Sequence, residues 1–87
     1  MIRQTKKSVI FTLDVDAQEV KLKGSWNGWK EEEMKRDKKG RFRKLKRLKP
    51  GRYEFGYLVD GVWRKEESLP SVPSPYGSQN SILEVKP

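Results

Sequence analysis

The sequence predicts an all-β sandwich of about seven short antiparallel strands, and three observations predict it. Short segments alternate apolar and polar residues with a period of two. Turn-forming residues recur at about every 8 to 12 positions, and no stretch carries a sustained helical stripe. At 87 residues the chain has room for a single domain, 1–87, with a small core in which each large apolar residue counts.

Taken in order, Lys7 to Asp14 reads as a strand, with Val9, Phe11 and Leu13 alternating against Ser8, Ile10 and Thr12. Asp14 to Gln18 reads as a hairpin loop, and Glu19 to Gly24 as a second strand with Val20 and Leu22 inward. A turn follows, Gly24-Ser25-Trp26-Asn27-Gly28-Trp29, which holds two of the three tryptophans. Lys30 to Lys39 is a charged connection around Met34, in which the run Glu31 to Arg36 has the make-up of a helical turn but is too short and too polar to stand alone. Arg41 to Leu48 has no cleanly apolar face. It is expected to be an edge strand, or to carry a bulge that brings Leu45 inside with Phe42 and Leu48. Tyr53, Phe55, Tyr57 and Val59 mark the clearest strand, and Asp60-Gly61 is a hairpin signal that sends Val62 to Lys65 back antiparallel. Glu66 to Gln79 is expected to be a long loop, because Pro70, Pro73 and Pro75 oppose regular structure. Asn80 to Val85 reads as a final strand.

Net charge is +8, from 20 basic and 12 acidic residues, and it is concentrated. Residues 35 to 49 hold ten Lys/Arg against Asp37 alone, a local +9, which leaves the rest of the chain at −1. A solvated strand whose Lys and Arg stems cover apolar surface and whose charges deter edge pairing accounts for this segment, and phosphate binding is the alternative. The chain has no cysteine, so disulfides and thiolate metal sites are excluded and a reducing compartment is favoured. The apolar run Val9 to Leu13 is too short for a signal-peptide core, and none approaches the ~20 residues of a membrane span. These features lead to an expectation of a cytoplasmic protein without a membrane partner.

Histidine is also absent, which removes the commonest general base and metal ligand and leaves the serines without an activating partner. The remaining carboxylates fall mostly in turns, and Asp14-Val15-Asp16 lacks the downstream residues of a calcium loop. No catalytic residue, metal ligand or cofactor is assigned, and the chain is expected to bind rather than to turn over. Its aromatics suggest the ligand. A pyranose presents a face of C–H groups that stacks on a flat ring and a rim of hydroxyls that wants polar partners. Trp29, Trp63, Tyr76, Ser78 and Asn80 supply that inventory if they converge. By composition alone, the same tryptophans serve equally well as core.

The turn Gly24 to Trp29, the run Leu48-Lys49-Pro50-Gly51-Arg52-Tyr53-Glu54-Phe55, then Val59-Asp60-Gly61-Val62-Trp63, Pro75-Tyr76-Gly77 and Asn80-Ser81-Ile82-Leu83 together resemble the family-48 carbohydrate-binding modules. These include the glycogen-binding domain of the AMP-activated protein kinase β subunit and the early-set N-terminal domains of branching and debranching enzymes. Each motif is weak alone, but their order is specific, and the resemblance spans roughly residues 8 to 85. It implies an immunoglobulin-like (early-set) sandwich that recognises α-1,4-glucans. Position by position, it implies that Trp29 and Trp63 stack on sugar and Trp26 belongs to the core. It also implies that Tyr76 reaches into the curve of the glucan and that Ser78 and Asn80 bond sugar hydroxyls. Two departures stand out: Gly56 replaces a sugar-contacting lysine of the kinase-subunit domain, and Lys46 takes a usually apolar strand position.

The expected function is therefore non-catalytic binding of glycogen- or starch-like α-1,4-glucans. The alternative is a protein-interaction or scaffold domain of the same fold without sugar affinity, with a kinase or a glucan-metabolising enzyme as the partner. Nucleic-acid binding through residues 35 to 49 ranks last, because Phe42 is the only ring in that segment.

Overall fold

The structure, a computed structural model, describes residues 1–87. Ten antiparallel strands form two sheets that face each other across one core. The smaller sheet has the order β1 (Ile2–Gln4), β2 (Val9–Leu13), β6 (Phe42–Lys46), β5 (Lys35–Arg36). The larger has the order β4 (Glu32–Glu33), β3 (Val20–Gly24), β7 (Gly51–Val59), β10 (Gln79–Val85), β9 (Ser71–Pro73), and β8 (Val62–Arg64) also pairs with β7. The one helical element is a 3-10 turn, Ser25–Asn27.

The period-two pattern places the core. Val9, Phe11 and Phe42 of the smaller sheet meet Val20, Leu22, Phe55, Tyr57 and Leu83 of the larger, all buried. Phe11 lies edge-on to Phe55 at 5.1 Å, and Phe55 edge-on to Tyr57 at 5.7 Å. Such pairs add about 1 kcal/mol each beyond the area they bury. The Asp60-Gly61 hairpin forms as its sequence demands, with φ 48° and 83° at the two turn residues. Asp60 does a second job: its carboxylate accepts the N–H groups of Gln18 and Glu19, anchoring the start of β3 to the far end of β7.

Several expectations are corrected. The count of about seven strands rises to ten because β1, the two-residue strands β4 and β5, and the three-residue β9 were not legible. Residues 14 to 18 do not close a hairpin, since β2 and β3 belong to different sheets and the segment crosses between them. The charged connection, too short and polar for a helical turn of its own, forms the strands β4 and β5 instead. Met34 is buried between β4 and β5 and donates its N–H to Val20 O, so the chain passes from one sheet edge to the other. Strand β6 lies between β2 and β5 and pairs with β2 in unbroken register from Val9–Lys46 to Leu13–Phe42. It is neither an edge nor bulged, and Leu45 stays outside. The 66–79 segment contains β9, a three-residue edge strand in which Pro73 is tolerated because an edge does not require every N–H.

Lys46 is on the inner face because Val9, its partner in register, is buried there. Its ammonium lies 2.6 Å from both carboxylate oxygens of Glu32, which sits opposite buried Leu22 on β4. Glu32 also accepts Trp26 Nε1–H at 3.0 Å and Asn27 Nδ2–H at 3.2 Å, and Lys46 Nζ stands 5.4 Å from the Trp26 ring centre. One carboxylate thus links the two sheets and holds the 3-10 turn. Burial by itself would raise the Glu32 carboxyl, but the hydrogen bonds from Lys46 and Trp26 outweigh it and hold the pKa below its usual value.

Glu32→Gln leaves the Lys46 charge uncompensated and should lower stability by about 2 kcal/mol, or roughly 10 °C in Tm for a chain of this size. Adding Lys46→Met should recover part of the loss, because both charges are then gone. A depressed folded pKa contributes stability above the unfolded carboxyl's value of about 4.5, and that stability is lost as pH falls through the folded value. Thermal melts of wild type and Glu32→Gln should therefore converge in acid. A gap that persists there would show that the carboxylate charge is not what holds the clamp.

Candidate functional site

The turn after β3 separates its two tryptophans by backbone geometry. Trp26, inside the 3-10 turn, packs on Phe11 at 5.4 Å, Phe55 at 5.9 Å and Tyr53 at 6.2 Å, with its N–H spent on Glu32. Its ring lies against Gly24, where a Cβ would fall 2.6 Å from Trp26 Cζ3. Trp26 is core. Gly28 and then Trp29 adopt left-handed backbone, φ 73° and 67°. That second value is costly for a bulky side chain, about 1–3 kcal/mol. A hydrogen bond from Trp29 N–H to Gly24 O at 3.0 Å closes the loop and holds it. The chain reverses sharply, and the Trp29 indole is carried out of the core.

On the outer face of the larger sheet that indole meets Trp63. The ring centroids are 6.3 Å apart and the planes are inclined at 54°. Both rings are half-buried, each with part of its surface in solvent. Trp63 is fixed from two sides. Its Nε1–H donates to Gln79 O at 2.8 Å, and its ring lies on Gly56, where a Cβ would come 2.7 Å from Cη2 and closer still to Cζ2. Gly56 sits on β7 between the stretch paired with β10 (51–55) and the stretch paired with β8 (57–59). The missing side chain leaves room there for the indole. The residue that departs from the resembling modules is thus a seat for the second tryptophan.

The other expected residues lie at varying distances from this pair. Ser78 and Trp63 line one open groove of 530 Å³, together with Arg64, Lys65, Glu67 and Gln79. The Ser78 hydroxyl is 2.9 Å from that of Ser74, within a turn closed by Ser74 N–H to Ser78 O. Tyr76 stands at the tip of that turn, 94% exposed, and its ring stacks on neither indole. Asn80 is 6% exposed, and its amide nitrogen lies 3.4 Å from Glu54 Oε1. The structure thus pairs Trp29 with Trp63, puts Ser78 beside Trp63, leaves Tyr76 free and turns the Asn80 amide toward the protein. Sequence reasoning missed the supporting residues Gly56, Gln79 and Glu32. Only Gly56 carries a signal, since a glycine within a clear strand often marks a close approach.

Two measurements test this positioning. At most exposed sites alanine is at least as stable as glycine, but at position 29 the order should invert. Trp29→Gly should be about 1 kcal/mol more stable than Trp29→Ala, since both lose the ring and only alanine keeps the strain. Equal melting temperatures would remove the strain argument. Gly56→Ala should displace the Trp63 indole and cost about 1–3 kcal/mol. The loss would appear as faster exchange of the Trp63 indole N–H, while the Trp26 indole N–H stays protected.

Comparison with known proteins agrees with this architecture. The family model described as the glycogen recognition site of AMP-activated protein kinase matches residues 7–87. Protein FLOURY ENDOSPERM 6, chloroplastic, of Oryza sativa subsp. japonica is 46% identical over 70 residues, 79% of this chain and 13% of that protein. Protein PTST homolog 2, chloroplastic, of Arabidopsis thaliana is 40% identical over 77% of this chain and 13% of its own length. The 5'-AMP-activated protein kinase subunit beta-1 of Sus scrofa is 32% identical over 92% of this chain and 65% of that sequence. The chain therefore spans a minor part of the first two relatives and just under two thirds of the third. With the match running from residue 7 to residue 87, the chain belongs to the family of glycogen recognition sites of AMP-activated protein kinase.

Proposed function

We propose that this chain binds α-1,4-linked glucans without acting on them, stacking successive sugars on Trp29 and Trp63. The observation that carries the reading is the bent indole pair, 6.3 Å between centroids and 54° between planes. Two coplanar rings would suit a flat ribbon of sugars. Two inclined rings suit a chain that curves, and α-1,4 linkage makes a glucan curve. Ser78, beside Trp63, supplies a hydroxyl at the rim, and exposed Tyr76 is free to swing against the concave side of the ligand.

Binding without turnover is the reading that a match to a glycogen recognition site supports, and the carboxylates with shifted pKa values serve the fold. In Glu32, Asp37 and Glu66 burial pushes upward, but hydrogen bonds from neighbouring groups prevail and the pKa is lowered. Each is committed to holding the fold: Glu32 to Lys46 and Trp26, Asp37 to Arg41, Glu66 to the Tyr57 hydroxyl. The similarity to kinase β subunits favours a protein partner as well, a kinase or a glucan-metabolising enzyme. Co-sedimentation of such an enzyme with glycogen only when this chain is present would support that role, and equal sedimentation without the chain would refute it.

Titration with maltoheptaose should quench or shift tryptophan fluorescence with modest affinity and little dependence on salt, since stacking and neutral hydrogen bonds carry the contact. Trp29→Ala and Trp63→Ala should each weaken binding by about tenfold or more, with the fold intact by circular dichroism. A linear β-1,4 glucan of the same length should bind far less. No response at millimolar maltoheptaose, or an unchanged response in both variants, would overturn the reading.

A further inference from the structure

The outward face of the smaller sheet plays no part in the indole platform, which lies on the other sheet. Cross-strand register puts Arg3, Ile10 and Leu45 in one row and Thr12, Arg43 and Lys35 in the next. Arg47 follows two residues after Leu45. Since Val9 and Phe11 are buried inward, Ile10 between them faces outward, and its register partner Leu45 is 51% exposed. An apolar pair is thus bordered by Arg3, Lys35, Arg43 and Arg47, and none of these four cations makes an ion pair. Asp37, two residues after Lys35, is already occupied by the Arg41 side chain and by the N–H groups of Lys39 and Arg41. A shallow groove of 370 Å³ runs among Lys35, Arg36, Asp37, Arg43 and Leu45, with the Asp37 carboxylate already turned to Arg41.

We propose that this face docks an acidic segment of a partner protein, with a large apolar side chain seated on Leu45 and Ile10 between the arginines. Unpaired cations around an apolar centre match the usual build of a protein contact, in which arginines and a desolvated apolar spot carry the energy. Nucleic acid fits less well, because Phe42, the one ring of the basic segment, is buried and cannot stack on a base. The two sheets face in opposite directions, so glucan and partner occupy opposite sides of the sandwich and do not compete. This surface stands independently of the glucan reading.

The test uses three labelled probes on the full chain: a glutamate peptide with one central leucine, an all-glutamate peptide of equal length, and a single-stranded oligothymidine of similar charge. The leucine peptide should bind most tightly and shift the amides of Ile10, Arg43, Leu45 and Arg47. Leu45→Ser should weaken it by about tenfold, to the level of the all-glutamate peptide. Arg43→Glu with Arg47→Glu should abolish binding. Neither change should alter the maltoheptaose titration, so failure here is separable from failure of the sugar site. Equal affinity for all three probes would reduce the face to a general polyanion surface and overturn the proposal. So would the absence of amide shifts on this face.

Discussion

The carboxylate of Glu32 is the constraint on which much of this small sandwich depends. It sits at the edge of the larger sheet, reaches Lys46 on the smaller one, and takes the free N–H groups of Trp26 and Asn27. A core with few aliphatic residues has little surplus to hold two sheets in register. An ion pair sheltered from water is costly to desolvate, and it stabilises here because all of its partners are supplied at once. With Trp26 fastened to the core, the next turn has a fixed starting point, and Trp29 emerges in one direction. The route from core to outer face is thus a short physical chain: clamp, inner indole, left-handed turn, half-buried outer indole.

The second indole is placed by an unlike device. Trp26 and Trp63 each lie on a glycine, Gly24 and Gly56, on adjacent strands of one sheet. Trp26 rests on the inner face and is packed on by three rings, whereas Trp63 rests on the outer face and is tied by a single hydrogen bond to Gln79 O. Inner placement makes a core residue and outer placement leaves part of the ring in solvent, although the local chemistry is the same. A lysine at position 56, the residue expected from the resembling modules, could not coexist with the indole in this pose.

Much of the fold was legible because period-two alternation and turn chemistry act locally. Val9, Phe11, Val20, Leu22, Phe55 and Tyr57 face inward as their spacing requires, and Asp60-Gly61 turns as its residue types require. What failed to read were matters of distant partnership. Lys46 inside the sandwich makes sense only with Glu32, 14 residues earlier in the chain. Strand β6 appeared too polar for a central position because that partner was invisible. The crossing of residues 14 to 18 between sheets depends on which strands pair, which no local pattern states. At the site, the separation of Trp26 from Trp29 came from family resemblance, and the structure supplies its cause in two consecutive positive φ angles, at Gly28 and Trp29. The burial of Asn80 and the seat at Gly56 depend on how the larger sheet packs.

The left-handed backbone at Trp29 also bears on how such chains diverge. A bulky residue held at φ 67° is kept against its own conformational preference, so this position is poorer for the fold than a glycine would be. If the ring at position 29 ceased to matter, substitution there by glycine or asparagine would relieve the strain, while the Glu32 clamp and the rest of the core stayed as they are. Position 29 therefore serves as a marker among related sequences. A relative that keeps Trp26 and the clamp but carries a small residue at this place has kept the sandwich and given up the indole pair.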